Sequence, residues 1–259
     1  MKKIQLIILF IFLFQLAYTQ TAEELNKQAK EHIKMQEFEK ALPVLKKSAQ
    51  LGNSEAQYNL GYLLQNGIGT EKNLSEAVEW YKKSSDNNFN DAHYALMMAF
   101  GNGDGVEQNS SKAFEYAIKC ATNNDPTCIW NVVNCYINGN GVEISESKFK
   151  EWIIRLAKLE NPENLTQSGY ITSARLEIAR YYNAGKYFEK DLYLSYLWYL
   201  IFNESKRDFS ILVQQEGLDE IKEIEKSLTK DQILNGKLEA EKIFGRQLTN
   251  YGELYKTSL

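Results

Sequence analysis

A unit of 36 residues is written twice without a gap across residues 54–125, and nothing else in the chain restricts its fold as strongly. Glu55-Ala56-Gln57-Tyr58-Asn59-Leu60-Gly61 falls on Asp91-Ala92-His93-Tyr94-Ala95-Leu96-Met97. The same shift carries Asn66-Gly67-Ile68-Gly69 onto Asn102-Gly103-Asp104-Gly105, and Ala77-Val78-Glu79-Trp80-Tyr81 onto Ala113-Phe114-Glu115-Tyr116-Ala117. A second shift reaches Thr127-Cys128-Ile129-Trp130, Asn138-Gly139-Asn140-Gly141 and Phe149-Lys150-Glu151-Trp152. A fixed period in this range, with apolar residues at helical spacing, means stacked helix pairs, since one pair cannot bury its apolar face alone.

The spacing within each copy shows where its helices start and stop. Ala56, Leu60 and Leu64 share one helical face with Gly61, and Ala77, Trp80 and Ser84 share a face of the next helix. Small residues let the helices approach, and large ones fill the remaining gap. Gly67 and Gly69 stand where the first helix must end, and the pair recurs as Gly103 with Gly105 and as Gly139 with Gly141. This predicts a left-handed turn, which other residues adopt only at a cost. Four residues after each second glycine come Asn73, Asn109 and Ser145, side chains able to accept from the free amides that open a second helix.

These residues resemble the Sel1-like repeat, a relative of the tetratricopeptide repeat with a longer loop. The match lies in Ala-Gln-Tyr-Asn-Leu-Gly at 56–61, Gly-x-Gly at 67–69 and Ala-Val-Glu-Trp-Tyr-Lys-Lys at 77–83. A further copy at a shift of 118 is carried by Ala174, Ile178, Gly185, Asp191 and Trp198-Tyr199, with Tyr187 where the second glycine would stand. The expected organisation is a shorter tetratricopeptide-type repeat over residues 21–53, repeats at 54–89, 90–125 and 126–161, an insertion at 162–172 and a degenerate repeat at 173–204. C-terminal helices follow over 205–259, with a stripe of Phe209, Leu212, Leu218, Ile221 and Leu228. Behind a capping box at Thr229 and Gln232, a last helix uses Leu234, Leu238, Ile243 and Phe244 to cover the final repeat. Glu23, Asn26, Lys30 and Lys34 read as the solvated end of the stack, and the insertion either lengthens a helix or projects from the array. The resemblance implies an all-α fold, a right-handed α-solenoid of stacked helix-turn-helix repeats, that binds other proteins.

Met1-Lys2-Lys3 followed by an apolar run over residues 4–16 reads as a secretory signal peptide ending near Thr19, too short for a comfortable membrane span. The alternative is an uncleaved amino-terminal anchor. Cleavage predicts a periplasmic or secreted protein with no membrane span, and removing Lys2 and Lys3 takes the formal charge from −4 to −6. An acidic balance argues against nucleic acid, which favours a basic face.

Cys120 closes one second helix and Cys128 opens the next, while Cys135 lies two turns beyond Cys128, too far to bridge along one helix. From the residues alone, a bridged pair and three small buried thiols both stand, because Cys128 occupies the place of Ala56 and Ala92 and Cys120 that of Ser84. A cysteine-rich secreted branch of the Sel1-like family carries the same Cys-x7-Cys joint in oxidised form, and this resemblance implies a Cys120–Cys128 disulfide.

No catalytic residue, metal or cofactor is expected. The two histidines, His32 and His93, fall in different repeats, and His93 takes the place of Gln57 and is followed there by Ile129, so an exposed or partly packed imidazole is expected. There is no metal-ligand spacing, nucleophile elbow or phosphate loop. The candidate site is a surface for a protein or peptide. In tetratricopeptide-like stacks the positions three before and one after the first-helix glycine face a concave groove. They are Asn26 and Lys30, Tyr58 and Tyr62, Tyr94 and Met98, Trp130 and Asn134, and Leu176 and Arg180. Asn66, Asn102 and Asn138 stand ready to hold a peptide backbone. The competing reading is that the Tyr58 position simply fills space between repeats. Two other function classes remain: an enzyme acting on cell-wall or β-lactam-like compounds, implied by cysteine-rich relatives but without an acid, base and nucleophile set, and a self-assembling envelope protein.

Overall fold

The computed structural model describes residues 20–256, so the leader read at residues 1–19 lies outside the described residues. Within them run twelve α-helices and no strand. They are α1 (Ala22–Lys34), α2 (Phe38–Gln50), α3 (Ser54–Asn66), α4 (Leu74–Asp86), α5 (Asn90–Asn102), α6 (Ser110–Ala121), α7 (Pro126–Asn138), α8 (Glu146–Ala157), α9 (Leu165–Ala184), α10 (Leu192–Asn203), α11 (Ile211–Glu225) and α12 (Lys230–Phe244). No described helix is long and apolar enough to cross a membrane. The chain is an α-solenoid of helical repeats, and its contacts fall into two compact units, one ending at Tyr116 and the other beginning at Ala117 within α6.

In the first unit α1 packs on α2 and α3 on α4, while α2 against α3 and α4 against α5 join one pair to the next. Ala29, Leu45, Ala56, Leu60, Ala77, Tyr81, Leu96 and Phe100 form its core, and removing this apolar surface from water is the main stabilising term. Gly61 is small for a reason: a Cβ there would sit 2.7 Å from the Tyr81 ring. Ser48 donates to the Ala22 carbonyl at 2.5 Å and Ser84 to the Ser54 carbonyl at 2.7 Å, tying the end of each second helix to the start of its first. The polar face of α1 is solvated at Glu23, Lys30 and Lys34 but not at Asn26. Asn26 is buried and both it and Lys30 donate at 2.6 Å to Glu55, which reaches this face from the first turn of α3.

All four long loops have one geometry. Gly67, Gly103, Gly139 and Gly185 end the first helices in the left-handed conformation. One residue later an amide returns to the helix, Ile68 to Leu63, Asp104 to Ala99, Asn140 to Cys135 and Lys186 to Tyr181, at 3.0–3.2 Å. Asn73, Asn109, Ser145 and Asp191 then cap the second helices, accepting from amides three residues on at 3.1, 2.9, 3.3 and 2.9 Å. Tyr187 takes the positive φ of 63° that Gly69, Gly105 and Gly141 take in the other copies. Its ring lies 4.8 Å from Phe149 and 5.0 Å from Tyr181, centroid to centroid, so packing offsets the strain of a non-glycine residue there.

In the second unit the insertion lengthens a helix. α9 has 20 residues where α3, α5 and α7 have 13. α10 is buried along its whole length from Ser195, because α9, α11 and α12 all pack on it. The expected faces of the last two helices hold at Leu218, Ile221 and Phe244 and fail elsewhere. Leu212 stays exposed while Gly217, Leu218, Ile221 and Ile224 form the buried face of α11, and on α12 Leu234 and Leu238 are 78% and 55% exposed. The side of α12 that meets α10 is Gly236, Ala240 and Phe244, where a Cβ on Gly236 would lie 2.7 Å from the Tyr196 ring. Small residues let the helix approach an aromatic wall that leucines would hold off. Thr229 and Gln232 form the capping box.

A buried polar knot closes this unit. The fully buried Arg175 donates to the carbonyls of Ala157 at 2.9 Å and Leu159 at 2.8 Å, and to Ser205 Oγ at 3.2 Å, with Phe244 against its guanidinium at 4.8 Å. It satisfies carbonyls that the end of α8 leaves without helical partners. Asp208 accepts from Ser168 and Thr172, both at 2.6 Å. Burial, helped by the neighbouring Arg246 charge, pushes the Arg175 guanidinium below its ordinary value, while Asp208 and Glu204 pull it back.

Candidate protein-binding surface

In the first unit the sequence-derived positions separate by depth. Tyr58 is half-buried, its ring 5.7 Å from Tyr81 and 5.4 Å from Phe89, so it does fill space between repeats. Tyr62, Tyr94 and Met98 are exposed, at 47%, 38% and 40%. Burial pushes the Tyr58 hydroxyl above its ordinary value, and the Asp91 charge and the Tyr62 and Tyr94 hydroxyls raise it further. Tyr81 beneath them donates to Gln65 Oε1 at 2.6 Å. A cavity of about 20 Å³, room for one water, opens beside Met98, lined by Val78, Tyr81, Ala95 and Asp104 among others. The exposed amides read as holding a peptide are bonded locally: Asn66 donates to the Tyr62 carbonyl at 2.8 Å and Asn102 to Asp104 at 3.2 Å.

In the second unit the corresponding positions are covered by the chain itself. Trp130 stacks on Tyr170 at 5.7 Å, a residue brought there by the lengthened α9, and Asn134 beside it is half-buried. Arg180 is not an open groove residue. It binds Glu220 at 3.2 Å and Glu216 at 3.6 Å, and Tyr199 donates to the same Glu220 at 2.6 Å, so α11 occupies this face. Leu176 is buried and Asn138 exposed.

Cys120 and Cys128 are joined by a disulfide across the α6–α7 joint, with Cα atoms 5.6 Å apart and both side chains fully buried. Cys120 stands where Ser48 and Ser84 make a hydrogen bond, so a covalent link replaces one. Donor atoms of Cys120, Asp125 and Cys128 lie within 4.8 Å of one another, but the sulfurs are spent on each other and Asp125 caps the Cys128 amide at 2.9 Å. Cys135 is free, and burial pushes its thiol up. A thiol assay on protein unfolded without reductant should therefore find one thiol per chain, and three after reduction. Reducing the bridge should cost about 2–3 kcal/mol for so short a loop, read as a fall in the unfolding midpoint.

The histidines stay apart. His32 pairs with Glu37 at 2.8 Å. His93 is buried rather than exposed, its Nδ1 2.8 Å from Ser85 Oγ. It is a polar peg between α5 and the end of α4, as Gln57 is between α3 and the Ala49 carbonyl at the end of α2. Sequence reasoning saw only that the position needs no imidazole. The signal it passed over is that Gln57 and His93 each lie eight residues after the last turn of the preceding second helix.

The family model of the Sel1 repeat matches residues 54–89 and 91–125. The chain carries Sel1 repeats. Both matched Sel1 repeats lie over the exposed surface, and between them they supply Tyr62, Tyr94 and Met98. The third and fourth copies fall outside the matched residues yet keep the same loop bonds. Among solved structures the chain is similar to a Sel1 repeat protein from Oxalobacter formigenes, with a TM-score of 0.63 at 22% identity over 84% of each chain, a likeness of fold. It is also similar to c5321, a protective antigen with an SLR fold present in uropathogenic Escherichia coli strains, with a TM-score of 0.41 at 20% identity over 85% of this chain and 51% of that one. A search of the curated proteins finds no match.

Proposed function

We propose that this Sel1-like repeat protein is a binding scaffold without catalytic machinery, secreted or periplasmic, whose recognition surface for a protein or peptide lies on α3 and α5 of the first unit. The observation that carries this reading is the exposure of Tyr62, Tyr94 and Met98 on rigid helices, while Trp130 and Arg180 are covered by Tyr170 and α11. Tyrosine buries a large apolar ring while keeping a polar tip, and methionine adapts to irregular partners, so both suit an interface. Helix pairs stacked in this way present a surface rather than a pocket for chemistry.

The test is crosslinked capture from native envelope and secreted fractions, comparing the unmodified protein with a Tyr62→Ala, Tyr94→Ala, Met98→Ala variant. The variant should keep its helicity and unfolding midpoint, since these side chains are exposed, and lose the partner by about 100-fold in affinity. A Trp130→Ala variant should retain it. A partner held equally by the triple variant would remove this surface from consideration. The secreted form is expected to begin near Gln20, and the intact mass of protein recovered from those fractions reads this directly.

A further inference from the structure

The cavity of about 20 Å³ beside Met98 is lined by the small apolar side chains of Val78, Ala95 and Ala99 and by two polar ones, Gln65 and Asp104. Ala95, Met98 and Ala99 stand at i, i+3 and i+4 of α5, and Gln65 follows Tyr62 at i+3 on α3, so the cavity lies on the same helix faces as the exposed Tyr62 and Met98. The two polar groups have complementary roles. Tyr81 donates to Gln65 Oε1 at 2.6 Å, which orients the side-chain amide and leaves its N–H groups as donors. Asp104 alone among the lining residues is charged. Asn102 donates to its Oδ2 at 3.2 Å, and a carboxylate has acceptor sites on both oxygens. The Asp104 backbone amide is tied to the Ala99 carbonyl at 3.0 Å, so the carboxylate stands on an ordered turn.

We propose that this cavity captures the free amino terminus of a partner peptide that begins with alanine. This rests on the reading that the first unit carries the recognition surface. Three constraints select the ligand. A carboxylate with no cation in the lining calls for a positive group. A cavity with room for one water holds a methyl group and nothing larger, and its apolar walls favour the methyl over water. A donor lining the same small space as the carboxylate calls for a carbonyl close to the positive group. An amino-terminal alanine brings all three on adjoining atoms: its ammonium donates to Asp104, its methyl enters the cavity and its carbonyl accepts from Gln65. A lysine side chain brings its charge on a four-carbon stem, with no methyl or carbonyl beside it. The residues that follow the alanine lie on Tyr62 and Met98.

The experiment is affinity selection of a synthetic hexapeptide library with free amino termini on the purified protein, followed by fluorescence anisotropy of the enriched peptides labelled at their carboxyl ends. Enriched peptides should begin with alanine. Acetylating the amino terminus should weaken binding about 30-fold, since a charge-assisted hydrogen bond is lost. Glycine in place of the alanine should weaken it about fourfold, the loss of one buried methyl. Asp104→Asn should weaken the free peptide about tenfold and leave the acetylated one unchanged, a pattern that damage to the fold would not give. Ala95→Val, which fills the cavity, should abolish the preference for alanine over glycine, with circular dichroism confirming that the variant is folded. Enriched peptides that bind equally well when acetylated, or that begin with large residues, and still depend on Tyr62 and Met98, overturn the inference and leave the surface standing. No enrichment, or enrichment indifferent to Tyr62→Ala and Met98→Ala, overturns the surface reading and the inference with it.

Discussion

Gly105→Ala is expected to lower the stability of the first unit by about 4 kcal/mol, well beyond the cost of replacing the first glycine of the same loop. Two costs combine. The residue sits at φ +74°, where an L side chain is strained, and a Cβ there would be driven into the carbonyl of Leu74, with the Ser75 amide at 2.8 Å. Backbone at the start of α4 cannot swing aside as the tip of a side chain can. Gly103, two residues earlier, has φ +81° but its nearest neighbour is the Gln108 Cβ at 3.5 Å, so Gly103→Ala should cost only about 1–2 kcal/mol of conformational strain. Gly52→Ala, at φ +94° with nothing within 4 Å, serves as the second control. Urea unfolding followed by circular dichroism ranks the three. Equal losses at Gly105 and Gly103 would mean that the second glycine is a turn residue only, not the place where one repeat presses on the previous one.

Arg175→Met is expected to cost about 3–5 kcal/mol in the second unit. Methionine keeps much of the volume, so the loss isolates the guanidinium. Without it the Ala157 carbonyl is left in the interior with no donor, the Ser205 hydroxyl loses its partner, and Phe244 keeps only Arg246 of the two cations against its ring. The Leu159 carbonyl keeps a second donor in Arg246. Asp208 loses the nearby positive charge that acts with its hydroxyl partners. Arg175→Lys should not rescue, because one ammonium cannot span acceptors that a planar fork reaches at once. Thermal unfolding of both variants is the measurement, and a loss below about 1 kcal/mol for Arg175→Met would show the knot to be dispensable.

The repeat was legible because each of its signals has one physical cause. Glycine pairs, cap residues and alternating small and large positions all report local geometry that recurs in register. That geometry also survives at Tyr187, where the sequence broke its own rule and ring packing against Phe149 restored the turn. Depth was harder to read. Register places Trp130 on the site of Tyr58 and Arg180 on that of Tyr62, but whether each is open depends on what packs over it, and Phe89, Tyr170 and α11 arrive from other parts of the chain. The same holds for α12, where counting leucines pointed to Leu234 and Leu238 while the aromatic wall of α10 selected the face with Gly236 and Ala240. The Arg175 knot left no motif in the sequence, since its acceptors are mostly backbone carbonyls.

A photo-crosslinking residue placed singly at Met98, at Asn134 and at Leu234 tests the central claim most directly, because all three sites are read in one intact protein against the same fractions. The account predicts that one partner is crosslinked from Met98, in the exposed surface of the first unit, and not from Asn134 or Leu234. Crosslinking of that partner from Asn134 or Leu234 with none from Met98 would contradict it and move recognition to the second unit.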